Sequence, residues 1–174
     1  MRRIITGHNH EGKSVVKIDG EPSRSVGEEV GGLFEIWNTD DGSIDSTDSI
    51  DRTDTDIVLS PTPGGSKLRY FRINPTPEGI PAEMLEELAA QAFQSIGADH
   101  ERVDTTRHPT MHKTKTIDYI ILLEGDVTLL LDDDDVKLQP FDVVVQRGTN
   151  HAWINNGTEP ALFVAVLIDA DIKE

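Results

Sequence analysis

A chain of 174 residues is one domain's worth of polypeptide, since domains usually run to about 100–200 residues. Its 32 Asp and Glu against 16 Lys and Arg leave a formal net charge of −16, which argues against a protein made to neutralise nucleic-acid phosphates or to sit on an anionic membrane. There is no cysteine, hence no disulfide framework, thiolate metal site or thiol nucleophile, and no apolar run near the ~18 residues of a membrane span or behind the basic start, so a water-soluble, cytoplasmic protein is expected.

In chain order, residues 3–6 and 14–18 are β-rich runs separated by His8-Asn9-His10-Glu11-Gly12, a turn-forming cluster, and predict a hairpin. His8 and His10 have the spacing of an HxH pair, but on a loop tip they read as turn residues. Residues 33–37 are a further short strand. Between Glu28 and Asp56 ten carboxylates face a single arginine, Arg52. Residues 38–56 are too polar to offset the entropy of ordering, so a solvated, mobile loop is expected there, and the Asp spacing matches no EF-hand. Ser66–Ile73 alternates, with Leu68, Tyr70 and Arg72 on one face and Lys67, Arg69, Phe71 and Ile73 on the other.

A helix is predicted over 81–97. Pro81 suits its first turn, Gly97 its end, and Leu85, Leu88, Ala92 and Ile96, with Ala89 beside them, form a stripe to pack on the body of the domain. Short strands then follow at 118–123, 127–131, 136–138, 142–146, 151–155 and 161–168, punctuated by turns such as 132–135, the pattern of a sandwich or barrel. The predicted organisation is one domain, 1–174: N-terminal strands in 1–37, an acidic loop in 38–60, the helix, and a barrel core in 105–170. Period 2 puts His151, Trp153 and Asn155 on one face of their strand, and Asp118, Ile120 and Leu122 on one face of theirs, with Tyr119 opposite. If both faces line the interior, they enclose a mostly apolar pocket with a few polar groups, the usual make-up of a small-molecule site.

Two segments here resemble the signatures of the cupin superfamily of small jelly-roll barrels. The end of the first falls on His112-Lys113-Thr114-Lys115-Thr116-Ile117-Asp118, with Asp118 seven residues before Gly125. The second runs over 142–151 to His151 and on to Asn155. Together they span 107–169, about a third of the chain, in the family's order and separation. The resemblance implies a mainly β cupin double-stranded β-helix, a jelly-roll barrel with an N-terminal β extension and one α-helix.

Metal-binding cupins take two His and a Glu from the first segment and a His from the second. Carried over, His112 matches the first His, Asp118 replaces the Glu and His151 matches the last His. Thr114 stands at the second His, Phe141 where the second segment has Gly, and Arg147 where it has Pro, with the stretch to His151 one residue shorter than usual. The resemblance therefore implies His112, Asp118 and His151 as both catalytic and metal-ligating residues for a divalent transition metal (Fe, Zn, Mn or Ni) with open coordination positions. Thr114, Trp153, Arg147 and Asn155 are the implied substrate-binding residues. Thr114 would orient a water, Trp153 stack on a planar substrate, Arg147 clamp a carboxylate, and Asn155 steady the turn. His108 is a further ligand only if its stretch folds back on His112, and Lys113 and Lys115 flank Thr114 as solvated cations.

The same two His and one Asp can instead work as a metal-free acid–base pair. Two functions stay open. One is a metal-dependent enzyme on a small organic acid or cyclic metabolite, as oxygenase, decarboxylase, dehydratase or isomerase. The other is a non-catalytic cupin that binds a small-molecule ligand. A homodimer built through the N-terminal strands is the partner the resemblance implies, without nucleic acid or membrane.

Overall fold

The alternation of apolar and polar residues along the second half of the chain becomes two facing sheets. The computed structural model describes residues 1–173. The larger sheet has six strands. β3 (Ser25–Val26), β4 (Gly31–Thr39) and β5 (Ser66–Ile73) continue into β11 (Ala161–Asp169), β6 (Thr116–Glu124) and β9 (Val143–Arg147), in that spatial order. The smaller sheet holds β10 (Ala152–Asn155), β7 (Val127–Leu130) and β8 (Asp135–Leu138). β1 (Arg3–His8) and β2 (Ser14–Gly20) form the expected hairpin as a separate antiparallel pair. The jelly roll is thus as read, but its core reaches beyond 105–170, because β4 and β5 are strands of the large sheet.

Inward residues follow the period of two. Ile120 and Leu122 on β6, and Ala161, Phe163, Ala165 and Leu167 on β11, meet Val127, Leu129 and Leu138 of the smaller sheet. Phe163 is fully buried, which stabilises by about 1.5–3 kcal/mol. Its ring stacks on Phe71 with centroids 4.5 Å apart and lies 5.3 Å from Trp153. The turn from β6 to β7 requires Gly125: its φ is 111° and a Cβ there would stand 2.6 Å from that of Ala161. Phe141 is the one non-glycine residue with positive φ among the described residues, at 74°, and it stands where the second signature has glycine.

Two expectations are corrected. The helix, α1 (Ala82–Ser95), buries Ala89 and Phe93, whereas Leu88 is 46% exposed and Ala92 is exposed as well. The packed line is Leu85–Ala89–Phe93 at i, i+4, i+8, because a large aromatic outweighs the smaller side chains in choosing the buried face. The acidic segment is anchored rather than loose. Arg3, 4% exposed, pairs with Asp51 and donates to Thr53 Oγ1 at 2.7 Å, Ser23 Oγ at 2.7 Å and the Ile36 carbonyl at 3.2 Å. Arg52 pairs with Asp48 at 3.0 Å. Asp41, Asp45, Asp48 and Asp51 each accept the backbone N–H two residues on, the Asx turn that short carboxylates favour. Hydrogen bonding from Arg3 holds the Asp51 carboxyl well below the usual carboxylate range. No helix among the described residues is long and apolar enough to cross a membrane.

Candidate functional site

Inside the barrel, on the side covered by α1, lies a cavity of about 300 Å³. Its walls are mainly apolar: Leu33 on β4, Phe71 and Ile73 on β5, Phe93 and Ile96 at the end of α1, Ile120 on β6, Trp153 on β10, and Ala165 and Leu167 on β11. The polar groups are fewer: Arg69, Thr110, His112, Thr114, Asp118 and His151, with the exposed Arg72 and Ser95. The inward face of β6 carries Asp118 there, and the inward face of β5 carries Arg69.

The histidines come together through a single backbone bridge. His112 N donates to the His151 carbonyl at 2.9 Å and His151 N to the His112 carbonyl at 3.0 Å, which brings the ring centroids to 4.3 Å. His112 Nδ1 lies 2.9 Å from the Thr110 carbonyl and His151 Nδ1 2.9 Å from the Thr149 carbonyl. A carbonyl only accepts, so each Nδ1 carries the hydrogen and each neutral ring keeps an unprotonated Nε2. Burial lowers both imidazole pKa values, that of His151 further through the neighbouring His112.

Asp118 has the opposite problem. It is 3% exposed, and its Oδ1 is buried without a hydrogen-bond partner. Burial pushes its carboxyl up to about 6, with the Thr116 hydroxyl and the Arg69 charge pulling the other way. Arg69 lies on β5 beside Glu35 of β4, to which its Nη2 donates at 2.5 Å. Across β11, its neighbour is the small Ala165, which leaves room above the sheet between Arg69 and the β6 side chains.

Of the residues expected from the sequence, the cavity gathers His112, Asp118, His151, Thr114 and Trp153. The Thr114 hydroxyl is bonded to that of Thr116 at 2.6 Å. Two are placed elsewhere. Arg147 is exposed at the end of the edge strand β9, because its neighbour Gln146 takes the inward position. Asn155 spends its amide on the Ile73 and Glu159 carbonyls and its oxygen on Gly157 N, a turn-holding role. His108 is bonded to Thr110 and is not on the cavity wall, while His8 meets Ser46 and His10 is exposed on the distant hairpin.

A metal centre needs its donors grouped. The two Nε2 atoms qualify, but among the described residues no set of three or more His, Cys, Asp or Glu is placed to hold an ion. Asp118 shares its surroundings with the Arg69 guanidinium, a like charge for any cation. As placed, His112, Asp118 and His151 do not fit a three-ligand metal centre.

Sequence reading passed over Arg69, Glu35 and Phe93. The signal for Arg69 was present: Lys67 and Arg69 share a strand face with Phe71 and Ile73, and a cation in an apolar face is unusual.

The signature segments read from the sequence are matched in comparison with known proteins. A family model described as the cupin domain matches residues 100–167, which include both signature segments. Phomopsin biosynthesis cluster protein C' of Diaporthe leptostromiformis is 30% identical over 163 residues, covering 88% of this chain and 69% of that protein. A cupin-domain-containing oxidoreductase of Hypocrea virens is 29% identical over 173 residues, covering 96% and 75%. Among solved structures, a cupin-2 domain protein from Rhodospirillum rubrum is 11% identical with a TM-score of 0.42, covering 83% of this chain and 63% of that one.

Proposed function

The chain belongs to the cupin family, and from that premise we propose that it is an enzyme acting on a small, largely apolar metabolite inside the barrel, with Asp118 exchanging a proton with it. One observation carries this reading: Asp118 lines an apolar cavity with a buried oxygen that no protein group satisfies. A purely structural carboxyl so placed would lose its hydration for nothing, whereas a general acid or base needs a free oxygen facing its substrate. Burial that lifts the carboxyl to about 6 also brings it close to a neutral working pH.

The neutral imidazoles of His112 and His151 offer two Nε2 acceptors to a substrate hydroxyl or N–H, and Trp153 offers a flat apolar face. Relatives named oxidoreductases support catalysis. Removal of a proton from C–H or O–H is a step shared by redox transformations and isomerisations, and it is the step Asp118 equips. A second reading, a divalent transition metal held at His112 and His151, is favoured by the paired unprotonated Nε2 atoms and requires Asp118 to turn toward them.

The test is deuterium exchange from solvent into the α-position of 2-indanone, followed by NMR with untagged protein before and after chelator treatment. Exchange at least tenfold above buffer, lost in D118N, is expected from the ~10²–10⁴-fold range of acid–base catalysis. Exchange that vanishes on chelation, with close to one metal per chain before it, replaces this reading by the metal one. Binding of 2-indanone without exchange above buffer replaces it by a non-catalytic binding cupin.

A further inference from the structure

Arg69 is the buried charged side chain of the cavity that proton transfer leaves unused; Arg72, which also lines it, is exposed. Only 1% of its surface is exposed, and only one of its three nitrogens is partnered. Nη2 donates to Glu35 Oε1 at 2.5 Å and to the Val58 carbonyl at 3.0 Å. Nε and Nη1 are buried with no hydrogen-bond partner. A guanidinium has five N–H bonds and accepts none, so those on Nε and Nη1 lack acceptors beside walls that are mainly apolar. Native proteins rarely leave buried donors in that condition, because their lost hydration is not replaced.

Asp118 does not resolve it. Its carboxyl feels the Arg69 charge, yet its own Oδ1 is equally without a partner. Arg69 on β5 and Asp118 on β6 therefore both line the cavity and both carry buried polar atoms without a partner, separated by the strand that carries Ala165.

We infer that the molecule taken by this cavity is an apolar carboxylic acid whose anionic oxygen accepts a hydrogen bond from one unpaired N–H group of Arg69, its apolar remainder lying against Phe71, Ile120 and Trp153. The inference rests on the cavity being the substrate site and adds the class of substrate. Nε and Nη1 stand on either side of the bonded Nη2 edge, so the carboxylate meets one of them by a single hydrogen bond rather than both as a bidentate fork. One negative charge suits a guanidinium already shared with Glu35. A phosphate would bring a second charge close to Asp118 and Glu101, both of which act electrostatically on Arg69.

Calorimetric titration with 3-phenylpropanoate and with its neutral isostere 3-phenylpropanamide tests this. Wild-type protein at about pH 6 is expected to bind the carboxylate at least tenfold more tightly than the amide. The E35L/R69M double variant removes both members of the buried ion pair, a replacement that folded proteins tolerate, and circular dichroism checks that it is folded. It should bind acid and amide alike. Equal affinity of wild type for acid and amide, or a preference for the acid retained in E35L/R69M, overturns the anion subsite and leaves the cavity reading standing. Failure of wild type to bind either probe overturns both.

Discussion

Replacing Asp118 by asparagine is expected to flatten the dependence of stability on pH within one window. The carboxyl has a pKa of about 6 in the folded protein against a reference value of 3.8. The folded state therefore keeps this proton where the unfolded chain has already released it. Stability associated with the protonated carboxyl is full below the unfolded value and is lost as pH rises through about 6. The separation amounts to about 3 kcal/mol over the whole window, of which about 1 kcal/mol is lost between pH 5 and pH 8. Asparagine keeps the shape and cannot ionise. The variant should gain on wild type by about 1 kcal/mol more at pH 8 than at pH 5, or about 2–4 °C in Tm for a chain of this size.

His112 and His151 contribute with the opposite sign. Burial keeps them neutral, so the unfolded chain takes up protons first as pH falls below the usual imidazole range, and stability is lost on the acid side. That contribution is common to both proteins and largely drops out of the difference. The assay is urea unfolding and thermal melting of chelator-treated wild type and D118N at the two pH values and equal ionic strength. The same variant-minus-wild-type difference at both would refute the claim that Asp118 is desolvated as its surroundings indicate.

Two further substitutions probe the backbone and the acidic segment. Phe141 follows Pro140 in a tight turn, its φ is positive and its side chain is 77% exposed. Phe141→Gly should stabilise by about 1 kcal/mol by relieving the left-handed conformation, and a melting temperature that falls or stays unchanged counts against strain there. Arg3→Met keeps the apolar stem and unpairs Asp51. It should cost about 2–3 kcal/mol, below the ~3–5 kcal/mol of a fully buried pair because Asp51 stays partly wet. Limited proteolysis within residues 38–56 should accelerate several-fold, and an unchanged cleavage rate would show that Arg3 does not anchor this segment.

Much of the site is legible along the chain because strand periodicity is local. Alternation alone puts Asp118, Ile120 and Leu122 on one face of β6 and His151, Trp153 and Asn155 on one face of β10, and the inward placement of Asp118, His151 and Trp153 follows. Alternation says nothing of which strands are neighbours. Residues 38–56 look unfoldable by composition, and their partner Arg3 lies 48 positions before Asp51. The helix stripe is ambiguous because Leu88 and Phe93 both fit a helical repeat, and the direction of the barrel decides between them.

By itself the sequence determined the jelly-roll class, the acidic and cysteine-free chemistry, and the pairing of His112, Asp118 and His151 with two separate signature segments. Tertiary structure decided what surrounds those residues. Antiparallel pairing of β11 with both β5 and β6 brings Arg69 to the same cavity as Asp118, and pairing of β4 with β5 supplies Glu35. The physical reason is that face is set by a residue's neighbours in the chain. The company a buried charge keeps, and hence whether it binds a metal, a proton or an anion, is set by strands that are distant in sequence and adjacent only in the fold.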